Sequence, residues 1–398
     1  MQEFLMRPMS VLPCSRRLTF VRADLCHLFD ESDKKYLDAF AANGNIVAGH
    51  AVAAIQAAYL TPPENSGQQL LHEFKKILPG YLEHVQLFQS GTTALKTACA
   101  LSRSFRQKPF VIGISEDRVQ NSFMVVSSTD DEHFNPLFSI DTNFELTSHN
   151  ISHPHVTGNR RLSELGKSIK GACLSSLEAF FADLADQTAA IVIEPSIGVG
   201  GAVEACRNFF GKLEEFCRAN GIDLIANETQ CGIGRTGSRL FGFQLLNIHP
   251  DIVCIGPSLA NGYPIGVAIY ADHFASLVDP ITATACSSCA AAVATLLQIE
   301  QLDLLRRSEQ LGEVFKNLLQ HFIGDHRFVK HIRGLGMMIE VEIESVEAAI
   351  ELHHRASELG LITGTGNLRQ NIIRLTPPLI FTGDMTELAC QILRDSLP

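Results

Sequence analysis

Two short apolar runs between residues 221 and 266 constrain the fold more than any other feature of the chain. Residues 222–226 form the first run, which ends at the polar Asn227, and residues 251–255 form the second, which ends at Gly256. Runs of this length between glycine and polar residues are typical of buried parallel strands. They predict an α/β protein with a parallel sheet at its centre.

Polar or unusual residues come directly after both predicted strands. Asn227, Glu228 and Gln230 follow the first strand, and Pro257 and Ser258 follow the second. Ligands of open α/β sheets bind outside the carboxyl ends of the strands. We therefore expect the functional site at this edge of the sheet.

The same stretch resembles the core of the class III aminotransferases, the pyridoxal-phosphate (PLP) enzymes that act on ornithine, acetylornithine, gamma-aminobutyrate and similar amines. Their pattern is roughly D-E-x-Q-x-G-x-G-R-T-G, followed by P-D-I-V-x-x-x-K-x-L-x-x-G-Y-P-I-G. The chain keeps most of these positions. The matching residues are Glu228, Gln230, Gly232, Gly234, Arg235, Thr236, Gly237, Pro250, Asp251, Leu259, Gly262, Tyr263, Pro264 and Gly266.

Two departures from the pattern fall on the chemistry of the cofactor. The family's Asp, which pairs with the pyridine nitrogen, falls on Asn227, and its Schiff-base Lys falls on Pro257 without any gap. PLP catalysis needs a primary amine, which proline lacks, and no lysine lies between Lys212 and Lys316. A charged hydrogen bond is worth ~1.5–3 kcal/mol against about 1 for a neutral one. Both changes argue against ordinary transamination.

A strand, a small-residue turn and a helix are predicted around residues 85–103. The backbone at Gly91 and Thr92 would then face an anion such as the cofactor phosphate, where the resemblance also places it. A plain helix cap by Ser90 is an equally weighted alternative. The family has Glu where this chain has Thr93.

Further departures share the same predicted pocket. Arg118 stands in the turn that supplies the family's stacking aromatic ring, and Ile197 and Val199 replace polar residues of the substrate wall. Ile281 aligns with a phosphate-binding Thr, although Thr282 or Thr284 would serve if the loop shifts. Arg374 matches an Arg that commonly grips a substrate carboxylate, and a surface ion pair is the alternative.

The resemblance runs from about Leu25 to the carboxyl terminus and implies fold type I of the PLP-dependent transferases. It implies a large, mostly parallel sheet domain over residues 46–283. Residues 1–45 and 284–398 would form a smaller α+β domain. A single long helix is predicted over residues 290–307.

Three hypotheses of function follow from this pattern of matches and departures. The first is a catalytically degenerate homologue that acts as a ligand-binding, regulatory or structural protein. The second is an enzyme that holds PLP or pyridoxamine phosphate without a covalent bond, for which only His249 and Tyr263 are near enough in sequence to move protons. The third is an atypical transaminase in which Pro257 is misaligned.

The resemblance also implies PLP as cofactor, held non-covalently at Gly91, Thr92, Asn227 and Gln230, or no cofactor at all. We expect a homodimer, or a heteromer with an active homologue, and a small anionic ligand. The net charge of −11 disfavours nucleic-acid binding. No apolar run is long enough to span a membrane, and the first twenty residues lack a continuous apolar segment, which predicts a cytoplasmic protein.

Overall fold

The described residues form three β-sheets, and a nine-stranded central sheet is the largest of these. The computed structural model describes residues 18–117, 122–128, 135–141, 146–147, 185–195, 203–278, 285–366 and 371–398. The strands of the central sheet are β4 Leu82–Phe88, β5 Phe110–Asp117, β6 Ser122–Ser128, β7 Asn135–Asp141, β8 Leu146–Thr147, β9 Thr188–Ile193, β10 Asp223–Asn227, β11 Ile252–Ile255 and β12 Gly266–Ala271.

The predicted fold class is confirmed, but the central sheet is mixed rather than mostly parallel. Its order is β4-β12-β11-β10-β9-β5-β6-β7-β8, and only the pairs β11–β10, β10–β9 and β9–β5 are parallel. The strands β5 to β8 follow one another too closely in sequence for the crossovers that parallel neighbours need. The parallel part is the centre of the sheet, and it is the part that the two apolar runs predict.

Both faces of this parallel centre are buried. All six residues of β9 are buried, whereas a strand with one face in solvent would bury only every second residue. Ile191 and Ile193 pack on one face in the same core cluster as Phe210. Ala190 and Val192 pack on the other face against the helix that begins at Gly91.

Two four-stranded sheets flank the central one. The first has the order β1-β2-β3-β15, and the second has the order β13-β14-β17-β16. Their strands are β1 Phe20–Asp24, β2 His27–Asp30, β3 Lys35–Asp38, β13 Val329–Leu335, β14 Met338–Ile343, β15 Leu361–Ile362, β16 Gly364–Thr365 and β17 Ile372–Leu375. The first sheet joins three amino-terminal strands to β15 from the carboxyl-terminal part of the chain, and the second sheet is formed by the carboxyl-terminal part alone. The domain boundaries stay a prediction.

Nine helices of five or more residues lie in the described part of the chain. They are α1 Ala53–Leu60, α2 Ser66–Ile77, α3 Gly91–Arg106, α4 Val203–Ala219, α5 Gly242–Leu246, α6 Cys286–Gln301, α7 Leu304–Ile323, α8 Val346–Glu358 and α9 Gly383–Ser396. The single helix predicted over residues 290–307 is wrong. It is divided between α6 and α7, because Asp303 has a φ of 49° and so leaves the right-handed helical region.

A left-handed turn joins the first flanking sheet to the rest of the chain. Ala41, Ala42, Asn43 and Gly44 all have positive φ, between 48° and 80°. The left-handed conformation raises the conformational energy of a residue that has a Cβ by roughly 1–2 kcal/mol. The side chain of Asp38 offsets part of that strain, since its Oδ1 accepts hydrogen bonds from the backbone N–H groups of Phe40 and Ala41 at 3.0 and 2.8 Å.

Arg235 is the largest fully buried side chain among the described residues, and it ties that turn to the carboxyl-terminal part of the chain. Its guanidinium donates to the backbone carbonyls of Gly44 at 2.8 Å, Met337 at 3.3 Å and Pro377. Three backbone acceptors from distant parts of the sequence are thus satisfied by one side chain, as buried carbonyls require.

No single helix in the described residues is long and apolar enough to cross a membrane. The consecutive helices α6 and α7, which are bent by 65° at their junction, reach that length and composition only together.

Candidate functional site

The carboxyl ends of the parallel strands and the start of α3 meet at one edge of the central sheet. Asn227 is the last residue of β10, and Gly256 directly follows β11. A Cβ placed on Gly91 would lie 2.8 Å from Thr229 Cγ2 and 3.0 Å from Gly256 Cα. Glycine is required at 91 by this close approach. The structure therefore brings the predicted residues Gly91, Asn227 and Pro257 into one region.

Asn227 presents its amide nitrogen, and not its oxygen, to the surroundings of the site. Its Oδ1 accepts hydrogen bonds from the Thr229 backbone N–H at 3.3 Å and from the Thr229 hydroxyl at 2.7 Å. A backbone N–H can only donate, so this contact fixes which end of the amide faces Thr229. Asn227 can donate a hydrogen bond to a ligand, and it carries no negative charge for a protonated ring nitrogen.

Pro257 begins a short 3₁₀ turn, Pro257–Ala260, immediately after β11 and Gly256. Its carbonyl accepts a hydrogen bond from the Gly262 N–H at 2.9 Å, and its ring is half-buried. Proline suits the first position of such a turn because its φ is already fixed and its missing N–H is not needed. The next residue, Ser258, is buried, and its hydroxyl has no hydrogen-bond partner in the described part of the chain.

The helix start at Gly91 is capped by its own side chains. The Ser90 hydroxyl accepts a hydrogen bond from the Thr93 N–H at 3.1 Å and lies 2.9 Å from the Thr93 hydroxyl. Thr92 is exposed. The plain helix cap is therefore present, and anion binding by the backbone of Gly91 and Thr92 stays a prediction.

Arg374 is buried and surrounded by acceptors from the protein itself. Its Nε and Nη2 contact Glu340 Oε1, both at 3.1 Å. Its Nη1 donates to Asn43 Oδ1 at 3.0 Å and to Gln230 Oε1 at 3.3 Å. The ion-pair alternative is thus present, but it is buried and not at the surface. A ligand carboxylate would have to displace Glu340 to reach this guanidinium.

Gln230 lies beside Arg374 in this arrangement, so its side-chain oxygen is already used by the protein. Sequence reasoning missed Glu340 and Asn43 as partners of Arg374. Glu340 and Glu342 in the buried strand β14 were a usable signal, because a carboxylate inside a sheet needs a cation nearby. Asn43 had no such signal, since it reaches Arg374 only through the left-handed turn.

Glu228 is a second buried acid that the sequence did not single out as functional. Its carboxylate accepts hydrogen bonds from the N–H groups of Gly242 at 2.9 Å and Phe243 at 2.7 Å, and the Cys231 thiol lies at 3.2 Å. Burial raises the pKa of Glu228 to about 7, although these hydrogen bonds act in the opposite direction. Glu228 holds the chain that follows β10 against the start of α5, which is a structural role.

The raised pKa of Glu228 predicts how stability depends on pH. Between its ordinary value of 4.5 and about 7, the folded protein holds a proton that the unfolded chain has lost. The free energy of unfolding should therefore fall, by about 3 kcal/mol from this group, as the pH rises through that interval. Urea unfolding of the natural protein and of Glu228→Gln gives the difference between their free energies of unfolding at pH 5 and at pH 8. The change in that difference between the two pH values is the contribution of Glu228. A difference that is the same at both pH values would contradict the assignment.

Four of the altered positions noted in the sequence lie outside the described residues. These are Arg118, Ile197, Val199 and Ile281. The expectations of a missing stacking ring and an apolar substrate wall therefore stay predictions.

The described residues do not fit a covalently held PLP. No amine stands after β11, Asn227 supplies no charge, and Glu340 already neutralises Arg374. Lys108 lies at the opposite edge of the sheet, where its ammonium donates to the carbonyls of Ala185 and Asn220.

The chain is similar in sequence to known aminotransferases along almost its whole length. Residues 13–397 match the family model described as aminotransferase class-III. Acetylornithine aminotransferase of Gloeobacter violaceus is 30% identical over 400 residues, which cover 94% of this chain and 92% of that protein. The acetylornithine aminotransferase of Methanothermobacter thermautotrophicus is 28% identical over 389 residues, covering 92% and 90% of the two chains.

Solved structures share the fold at lower identity. A phospholyase from Arthrobacter in complex with phosphoethanolamine superposes with a TM-score of 0.75 at 22% identity, over 98% of this chain and 97% of that one. Acetylornithine aminotransferase from Elizabethkingia anophelis gives a TM-score of 0.72 at 20% identity, over 96% and 94%.

Proposed function

Because the chain belongs to the class III aminotransferase family, we propose that it is a member without ordinary transaminase activity, which acts as a ligand-binding, regulatory or structural homologue. The relatives that cover most of its length are named as aminotransferases. The loss of activity is therefore proposed from the positions at which this chain departs from the family's pattern. The changes lie in its own residues at the carboxyl edge of the sheet.

Pro257 is the observation that carries the proposal. It stands one residue after β11, where the resemblance places the lysine, and it begins the turn Pro257–Ala260. A side chain that accepts and returns protons contributes about 10²–10⁴-fold to the rate of a reaction. Since proline has no ionisable group, this contribution is lost together with the covalent attachment.

The pairing of Arg374 with Glu340 supports the same proposal. Both side chains are buried and the two charges cancel within the protein. A ligand that displaced Glu340 from Arg374 would break a buried ion pair, which is unfavourable by several kcal/mol. A small anionic ligand is therefore proposed to use the amide end of α3, at Gly91 and Thr92, and not the guanidinium of Arg374.

Retention of added PLP is the test of this proposal. We expect protein mixed with PLP and passed through a gel-filtration column to keep no cofactor, because neither an amine nor a charged partner holds it. Parallel samples reduced with borohydride and mapped as peptides detect any covalent product. The control is Pro257→Lys, which restores only the amine.

Each result of that test bears on a different hypothesis. PLP retained by the natural protein and removed by dialysis would favour the non-covalent enzyme, for which the outward amide nitrogen of Asn227 could bind an unprotonated ring nitrogen. PLP attached covalently to a single site would overturn the proposal. Light scattering on the same column tests the proposed dimer, which the exposed Leu60 of α1 and Leu297 of α6 support.

A further inference from the structure

Two aspartates and a histidine converge at the edge of the central sheet opposite the candidate site. Asp223 begins β10, Asp251 precedes β11, and His273 lies in the short 3₁₀ turn Asp272–Phe274 that follows β12. One oxygen of each aspartate and one ring nitrogen of His273 all lie within 4.8 Å of one another. His273 Nε2 is 3.8 Å from Asp223 Oδ1 and 3.9 Å from Asp251 Oδ1.

Asp223 is the member of this cluster whose bonding is incomplete. It is fully buried, and its Oδ2 has no hydrogen-bond partner among the described residues. Its Oδ1 accepts from Arg106, with Nε at 2.7 Å. A buried ionised oxygen without a partner is strongly unfavourable, so a cation or an ordered water is required there.

Asp251 is held so that one oxygen stays available. Its Oδ2 accepts a hydrogen bond from the Leu224 N–H at 2.8 Å, which fixes the carboxylate and leaves Oδ1 near His273. Outer hydrogen bonds of this kind orient metal-binding carboxylates. Arg106 likewise holds Asp223, but through Oδ1, the oxygen that lies 3.8 Å from His273, and it leaves Oδ2 without a partner among the described residues.

A cavity of about 200 Å³ adjoins the cluster. Asp251, His273, Arg106, Glu214 and His249 are among the residues that line it. A site with three protein ligands needs water to complete its coordination, and a cavity of this size beside Asp251 and His273 has room for it.

Charge and geometry both suit a divalent ion. Two carboxylates and one guanidinium leave a net charge of −1 when His273 is neutral. Bonds of about 2.0–2.2 Å would place neighbouring ligand atoms roughly 3.3 Å apart. The two distances from His273, 3.8 and 3.9 Å, would then have to shorten by about half an ångström, and the distance between the two aspartates lies within 4.8 Å. His273 is partly exposed in a short turn and can make that adjustment.

We propose that Asp223, Asp251 and His273 form a binding site for one divalent transition-metal ion, of the class that mixed carboxylate and imidazole ligands prefer. The site is separate from the candidate cofactor region, because the length of β10 puts about 13 Å between them. It is therefore independent of the proposed function, and a negative result for one proposal does not contradict the other.

Mn²⁺ binding to chelator-treated protein tests the site. Mn²⁺ is a better probe than Zn²⁺ because the exposed thiol of Cys286 is a ligand that Zn²⁺ prefers and Mn²⁺ does not. We expect one Mn²⁺ per chain, measured by the paramagnetic resonance signal of the unbound ion. Asp251→Asn and His273→Gln should each weaken binding by about 10–100-fold. Asp251→Asn keeps an acceptor for the Leu224 N–H, and circular dichroism verifies that both variants fold.

His249→Gln is the matched control, because His249 lines the same cavity but contacts Glu214 at 3.2 Å and not the two aspartates. Its Mn²⁺ affinity should equal that of the natural protein. Absence of Mn²⁺ binding at millimolar concentration, or binding that Asp251→Asn and His273→Gln leave unchanged, would overturn the proposal.

Discussion

A protein carrying Pro257→Lys together with Asn227→Asp is expected to fold normally and still to transaminate at least ~10²-fold more slowly than an active acetylornithine aminotransferase measured beside it. The first change is tolerated because Pro257 begins a short turn, where replacing proline destabilises by only about 0.4–1 kcal/mol. The two substitutions restore the amine and the charged partner, but they leave the substrate side of the site as it is.

The reason for the remaining defect is the contact between Arg374 and Glu340. A carboxylate held by two charged hydrogen bonds gains about 3 kcal/mol, and that gain is lost while Glu340 occupies the guanidinium. A loss of this size corresponds to about 10² in the rate with a carboxylate substrate. Steady-state kinetics with acetylornithine and with an amine that has no carboxylate would show whether the defect follows the carboxylate.

A third substitution separates this explanation from a general loss of the site. Glu340→Ala, added to the double variant, should raise the rate with the carboxylate substrate by at least ~10-fold, because it frees Arg374. Glu342→Ala is the matched control, since Glu342 lies on the same strand but pairs with Arg333. A double variant as active as the comparison enzyme would show that Arg374 is not blocked.

Replacing Arg235 by Met is expected to lower the free energy of unfolding by about 3–5 kcal/mol. The guanidinium is fully buried and donates to three backbone carbonyls, and none of these contacts is an ion pair. Methionine fills much of the same volume but leaves the carbonyls of Gly44, Met337 and Pro377 without donors. The measurement is urea unfolding at pH 7, followed by fluorescence and by circular dichroism.

Two further variants control this experiment. Arg239→Met changes an exposed arginine four residues away and should alter stability by less than about 0.5 kcal/mol. Arg235→Lys should recover only part of the loss, because an ammonium cannot reach three acceptors in the geometry of the planar guanidinium. An Arg235→Met protein within about 1 kcal/mol of the natural one would contradict the role assigned to these contacts.

The position of the candidate site was predictable from the sequence because it depends on short-range features. The two apolar runs became β10 and β11, and Asn227 and Pro257 lie where their strands end. A short apolar run and the turn residues that bound it extend over only a few positions, so one stretch of sequence is enough to predict a buried strand and its end. The resemblance then placed the same residues in a known chemical context.

The pairing of Arg374 was not predictable, because it depends on contacts between distant parts of the chain. Glu340 and Arg374 are opposite each other only through the register of β14 and β17, and Asn43 joins them from the other end of the sequence. The division of the predicted long helix was missed because aspartate only tolerates left-handed backbone better than most residues, so Asp303 alone does not mark the end of a helix. The mixed central sheet was missed for a similar reason. The short connections between β5, β6, β7 and β8 make these strands antiparallel, and a local hydrophobic pattern carries no information about connection length.

The left-handed turn at residues 41–44 couples the amino-terminal hairpin to two buried cations. Asn43 and Gly44 supply oxygen atoms to Arg374 and Arg235, so these acceptors leave whenever that turn unwinds. Detachment of the hairpin would then remove one acceptor from each of two buried guanidinium groups at once, while Glu340 still pairs with Arg374 and the carbonyls of Met337 and Pro377 still accept from Arg235.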